Sequence, residues 1–308
     1  MASVSSTAVT LPSPFKTPQG EALYIAAYNA AVKLWPAAYV DLYVQSRFGR
    51  THLVVSGPMD APPLLLLHGY FASLTVWSAN IADFAKDYRV YAVDVMGQPS
   101  KSIPSQPIRN RVDFVEWLGV ILDSLCIKRV DLVGVSYGAW IALNYALSAP
   151  ERLNKLVLLS LAGGLLPVTT QFILRGMAIM LPPRHFWVKK LLRWMICKEN
   201  LENKTVRTIY TCMLEQMSLG AAHFHLQLQT VTVQASVFSD DELRSMRVPT
   251  LLLYGQQEVV CDAAKALQRA EKLLPNFEGE LVPHASHAMV IEKHDIVDQR
   301  ILEFLKKN

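Results

Sequence analysis

Cysteine is scarce in this chain, and none of it is paired at short range. The four residues, Cys126, Cys197, Cys212 and Cys261, form no C-x-x-C motif and no zinc-ligand spacing. That argues against a disulfide framework or a structural zinc, and free thiols in a reducing compartment are expected. Charge of one sign is also lacking. A formal net charge of +4, scattered over 308 residues, gives no nucleic-acid footprint. Long apolar runs are absent. Runs such as residues 64–67 and 156–159 are strand-sized, far short of the roughly 20 residues that span a bilayer. The opening MASVSSTAVTLPSPFKTP has neither the basic start nor the apolar core of a secretory signal. A cytoplasmic protein is expected. There are no internal repeats.

What is present is a large core. Apolar residues make up 51% of the chain and charged residues 18%, which disfavours wholesale disorder. Residues 1–50 read as a loose arm followed by a helix, with Leu23, Ala27, Ala30, Ala31 and Leu34 at helical spacing. Short apolar strands are expected at residues 51–56, 64–67, 90–93, 129–133, 156–160, 250–254 and 280–282. Helices are expected at residues 75–84, 111–125, 139–147 and 262–274. This alternation predicts a mainly parallel sheet with both faces covered by helices. The core would comprise residues 51–164 and 239–308. Residues 165–238 break the rhythm. They are rich in Met, Leu, Trp and Phe and read as a helical lid inserted after a strand's carboxyl end, where ligands sit in such sheets.

The chemistry-bearing residues follow the strands. The stretch DLVGVSYGAWIAL carries G-x-S-x-G between a buried strand and a helix, the setting of a nucleophile elbow that displays Ser136. A serine hydroxyl needs a base, and the base needs an orienting acid. His287 and His284 both follow the last strand. Glu258 and Asp262 both follow Gly255. Asp262 can equally serve as the N-cap of the next helix. Backbone N–H groups of Tyr137 and, from the loop His68-Gly69-Tyr70-Phe71, Tyr70 fit an oxyanion hole. His223 and His225 bracket Phe224 without a neighbouring carboxylate, which disfavours a metal site.

The stretches LLLLHGYFAS, VYAVDVMGQPSKS, VGVSYGAWIAL, PTLLLYGQQE and HASHAMVIEKHDIVDQRILEFL occur in one order. Together they resemble the α/β-hydrolase fold family, in its lidded, esterase-like branch. The whole chain, including LWP and GQQEVVCD, is similar to carboxylesterases of bacilli. The resemblance implies Ser136 as nucleophile, His287 rather than His284 as base, and Glu258 as acid, with Asp262 the alternative. The expected activity is hydrolysis of small to medium apolar esters through an acyl-enzyme, with no metal or organic cofactor. Ser286 and Glu258 depart from the glycine and aspartate more frequent in the family. A lactonase, thioesterase, amidase or carbon–carbon bond hydrolase could use the same groups, and so could a non-catalytic binding protein on this fold. Haloalkane dehalogenation is disfavoured, because that chemistry uses an aspartate where Ser136 stands. The segment RHFWVKKLLRWM mixes basic and apolar residues as interfacial helices do, which suggests weak membrane-surface contact through the lid. Oligomeric state is not legible.

Overall fold

The computed structural model describes residues 12–225 and 236–307. Residues 1–11 of the expected arm and residues 226–235 of the expected lid lie outside them. The strands are β1 (Tyr39–Ser46), β2 (Gly49–Ser56), β3 (Pro63–Leu67), β4 (Arg89–Val93), β5 (Ile103–Pro104), β6 (Val130–Val135), β7 (Leu153–Leu159), β8 (Thr250–Gly255) and β9 (Phe277–Val282). They form one sheet in the order β1-β2-β4-β3-β6-β7-β8-β9, with β5 against β2. Pairing from β4 to β9 is parallel, and β1 and β2 join antiparallel. The carboxyl ends of the parallel strands therefore share one edge.

The helices are α1 (Pro18–Val32), α2 (Ile81–Asp87), α3 (Arg111–Ser124), α4 (Tyr137–Ser148), α5 (Thr170–Ala178), α6 (Arg184–Trp194), α7 (Lys204–His223), α8 (Asp240–Arg244), α9 (Ala263–Leu273), α10 (Met289–Glu292) and α11 (His294–Lys306). They cover both faces of the sheet. Leu64 and Leu66 of β3 join a cluster with Tyr28, Phe84, Ile209 and Ile301, from α1, α2, α7 and α11. Leu65 and Leu67 join the opposite cluster, with Trp117, Trp140 and Ala266 from α3, α4 and α9. The two-residue period of a strand divides adjacent leucines between the layers. Each buried leucine contributes about 1.5–3 kcal/mol by leaving water.

Two boundaries correct the sequence reading. The core was expected from residue 51, but the sheet begins at Tyr39. β1 is an edge strand with only Val44 buried, so no apolar alternation marks it. The single helix expected at residues 75–84 is two elements, a 3-10 turn at Leu74–Ala79 and then α2. The break falls at buried Asn80, whose amide Nδ2 donates to the Val290 carbonyl at 3.0 Å and to Asp298 Oδ1 at 2.7 Å. Satisfying these distant groups fixes Asn80 at the junction.

Asp298 is buried, and its Oδ2 has no partner among the described residues. Burial pushes its carboxyl up to about 8, despite the hydrogen bond from Asn80. The folded state therefore holds a proton that the unfolded chain releases near pH 4. Stability from this group is full below that point and is lost as pH rises towards 8. Asp298→Asn keeps the acceptor for Asn80 and removes the titration. Relative to wild type, it should gain stability as pH rises, by a few kcal/mol at pH 8. Urea midpoints at pH 5 and pH 8 check this. A gap between the two proteins that does not grow with pH would contradict it.

Candidate active site

Ser136 stands between β6 and α4 with φ 55° and ψ −112°. A non-glycine residue pays about 1–3 kcal/mol to hold such a conformation. Its surroundings hold the turn in place. The Ser136 N–H donates to the Leu159 carbonyl at 2.8 Å, and its carbonyl accepts from the Trp140 N–H at 3.2 Å. The flanking glycines are sterically required. A Cβ on Gly134 would overlap the Gly138 carbonyl, and one on Gly138 would overlap the carbonyls of Leu67 and His68.

His287 arrives from the loop after β9. Its Nε2 lies 2.9 Å from Ser136 Oγ, and its Nδ1 lies 2.9 Å and 3.0 Å from the two Glu258 carboxylate oxygens. Glu258 follows β8, and its Oε1 also accepts from the N–H groups of Val259 at 2.9 Å and Val260 at 2.8 Å. Burial alone would raise the Glu258 carboxyl. The charge and hydrogen bond of His287 and the two backbone donors outweigh it and hold the group below its ordinary range. An ionised Glu258 accepts a hydrogen bond from Nδ1–H, which keeps the proton on Nδ1 and leaves Nε2 free to accept from the serine hydroxyl. Ser136 and His287 are 9% and 3% exposed, so the three groups meet in a covered site.

The competing residues lie elsewhere. Asp262, the alternative acid, caps α9 by accepting from the Lys265 N–H at 3.1 Å, and it pairs with the Lys265 ammonium at the surface. Packing thus gives it the capping job. His284 is exposed, with φ 52°.

Tyr70 follows β3, and Gly69 lies so close to the elbow that a Cβ there would sit 3.3 Å from Ser136 Cβ. The rings of Tyr70 and Tyr137 meet edge to face with centroids 6.0 Å apart. Burial pushes the Tyr70 phenol up to about 12, which keeps it neutral near pH 7. The same loop is held by two side chains without an assigned role in the sequence reading. Gln98 Oε1 accepts the Phe71 N–H at 2.8 Å, where Phe71 has φ 59°. His68 accepts the Val95 N–H through Nε2 and so donates from Nδ1 to the Gly69 carbonyl.

Glu292 is a further residue whose connections the sequence did not reveal. Its Oε1 accepts the Ser286 N–H at 3.0 Å, beside His287. Its Oε2 accepts the Cys197 N–H at 2.7 Å and Asn200 Nδ2 at 2.8 Å. Asn200 also donates to the His284 carbonyl. One buried carboxylate thus joins the segment after α6 to the loop that carries the base. Above that loop, the Phe172 ring of α5 lies 6.4 Å from the His287 ring.

A family model described as α/β hydrolase fold matches residues 62–194. A Bacillus subtilis protein described as an uncharacterised carboxylesterase, nap, is 35% identical over 91% of this chain and 91% of its own. The Bacillus subtilis carboxylesterase YbfK is 34% identical over 91% of this chain and 92% of its own. The crystal structure of naproxen esterase (carboxylesterase NP) from Bacillus subtilis superposes with a TM-score of 0.87 at 34% identity. It covers 94% of this chain and 100% of that one. The strained serine turn and its imidazole partner thus occur in a chain that aligns with these enzymes almost end to end, and the chain belongs to the α/β hydrolase fold family, in its carboxylesterase branch.

Proposed function

We propose that Ser136, His287 and Glu258 hydrolyse apolar carboxylic esters of small to medium size by acyl transfer. The observation that carries this reading is the unbroken line of hydrogen bonds from Ser136 Oγ through the imidazole to the Glu258 carboxylate. In the first step, Ser136 Oγ attacks the ester carbonyl while His287 Nε2 takes its proton. The backbone N–H groups of Tyr70 and Tyr137 receive the negative charge that develops on the carbonyl oxygen. Each such donor is worth about 10²–10³ in rate. The imidazolium then protonates the departing alcohol. In the second step His287 takes a proton from water as the water oxygen attacks the acyl carbonyl, and the imidazolium returns that proton to Ser136 Oγ as the acyl–oxygen bond breaks and the acid leaves. Glu258 keeps Nδ1 protonated and stabilises the imidazolium. The first proton moves between groups already in hydrogen-bond reach, Ser136 Oγ and His287 Nε2.

Residues 165–238 act in this reading as the lid. Ser136 and His287 are buried, and the Phe172 ring of α5 lies tilted 6.4 Å from the His287 ring, so in this reading α5 shifts to admit an ester. The aromatic and aliphatic character of this cover favours an apolar acyl group. One relative is described as a naproxen esterase, which supports a naproxen ester among the substrates. The four free thiols suit a reducing, cytoplasmic setting.

Hydrolysis of p-nitrophenyl esters from acetate to decanoate tests the substrate class. kcat/KM should rise from acetate to a chain of medium length and then fall as the cover limits the acyl group. A flat profile would overturn the preference for medium length, and none of these esters being cleaved by folded protein while an amide or lactone is would overturn the ester reading.

A further inference from the structure

We infer that the hairpin of α5 and α6 is a docking surface for an anionic lipid bilayer. This inference stands apart from the roles assigned to Ser136, His287 and Glu258. Ile173, Leu174, Met177, Leu181 and Phe186 are all exposed, between 47% and 66%. Ile173, Leu174 and Met177 share one face of α5, because residues three and four apart are neighbours on a helix. Leu181 and Phe186 extend the apolar surface through the turn into α6. Soluble proteins rarely leave so many large apolar side chains together in water.

The formal charge carried by this segment is of one sign. No Asp or Glu occurs between Glu151 and Glu199. In the same stretch α5 carries Arg175, and α6 carries Arg184, Lys189, Lys190 and Arg193. Among the described residues, none of these five cations has a carboxylate partner. Lys190 Nζ instead lies over the Phe186 and Trp187 rings, 4.6 Å and 5.3 Å from their centroids. A cleft of about 200 Å³ opens between the two helices. It is walled by Leu174, Ala178, Trp187 and Leu191 and rimmed by Arg175 and Lys190. Apolar walls beneath cationic heads match an acyl chain beneath an anionic headgroup. A helix pair with an apolar face, basic flanks and interfacial Trp and Phe has the composition of segments that lie in the plane of a membrane surface. Each cation near an anionic surface strengthens binding roughly five-fold, and salt screens that gain.

The test is co-sedimentation of the full chain with vesicles of phosphatidylglycerol and phosphatidylcholine, beside vesicles of phosphatidylcholine alone. Wild type should bind the anionic vesicles at least tenfold more than the neutral ones, and the excess should vanish in 0.5 M salt, an ionic strength at which the screening length falls to about 4 Å. Lys189→Glu/Lys190→Glu/Arg193→Glu and, separately, Leu174→Asp/Met177→Asp should each lose most of the binding. Both variants should keep the wild-type far-ultraviolet circular dichroism and urea midpoint, which report that they are folded. Equal binding to both vesicle types, no binding to either, or retained binding in both folded variants would overturn the proposal. So would a dimer that forms through this face, revealed by sedimentation equilibrium as an association that Leu174→Asp/Met177→Asp abolishes.

Discussion

Ser136→Ala should lower kcat for a p-nitrophenyl ester by about 10⁴–10⁶ while leaving the fold intact, and His287→Ala should do the same. The reason is mutual dependence. The serine hydroxyl is a weak nucleophile until the imidazole takes its proton, and the imidazole has no substrate to act on without the serine. The double variant should therefore be no slower than either single variant. Additive losses would mean that the two groups act on separate steps. Matching urea midpoints for the variants and wild type would place the loss in the chemistry. The strained φ of 55° remains, because it belongs to the backbone turn.

Glu258→Gln should cost about 10⁴ in kcat with little change in KM. Gln is the same size and can still meet Nδ1, but its amide can present an N–H and so stabilise the wrong tautomer, with the proton on Nε2. It also removes the negative charge that faces the imidazolium. The variant changes stability as well. Glu258 is held below its ordinary range in the folded protein. Its contribution is therefore present above the unfolded value near pH 4.5 and is lost as pH falls through the folded value. Wild type should lose stability into acid more steeply than Glu258→Gln. Parallel acid limbs for the two proteins would contradict the sign, and near-wild-type kcat would contradict the role. Asp262→Asn, which alters only an exposed cap, should leave kcat unchanged.

The serine turn was legible because sterics impose it. Gly134 and Gly138 are needed where a Cβ would strike backbone carbonyls, so the motif and its geometry share a cause. The central parallel strands β3, β6, β7 and β8 were legible because both of their faces are largely buried, and burial on both faces demands continuous apolar runs. β1 was missed for the converse reason, since an edge strand with little burial leaves no pattern. The acid was only half legible. Glu258 and Asp262 stand four residues apart after the same strand. What separates them is that one turns inward to His287 and two backbone N–H groups while the other caps α9 in water. Glu292 shows the limit of local reading. Its partners Cys197 and Asn200 lie 95 and 92 residues away in the chain, and only tertiary packing brings them together.

The central claim is that Ser136 carries the acyl group. Its most direct test is labelling with a fluorophosphonate, read by peptide mass spectrometry alongside residual esterase activity. The account predicts a single adduct on Ser136 that accumulates in step with the loss of turnover and is absent from Ser136→Ala. Full ester hydrolysis by protein in which Ser136 stays unlabelled, or an inactivating adduct on another residue, would contradict it.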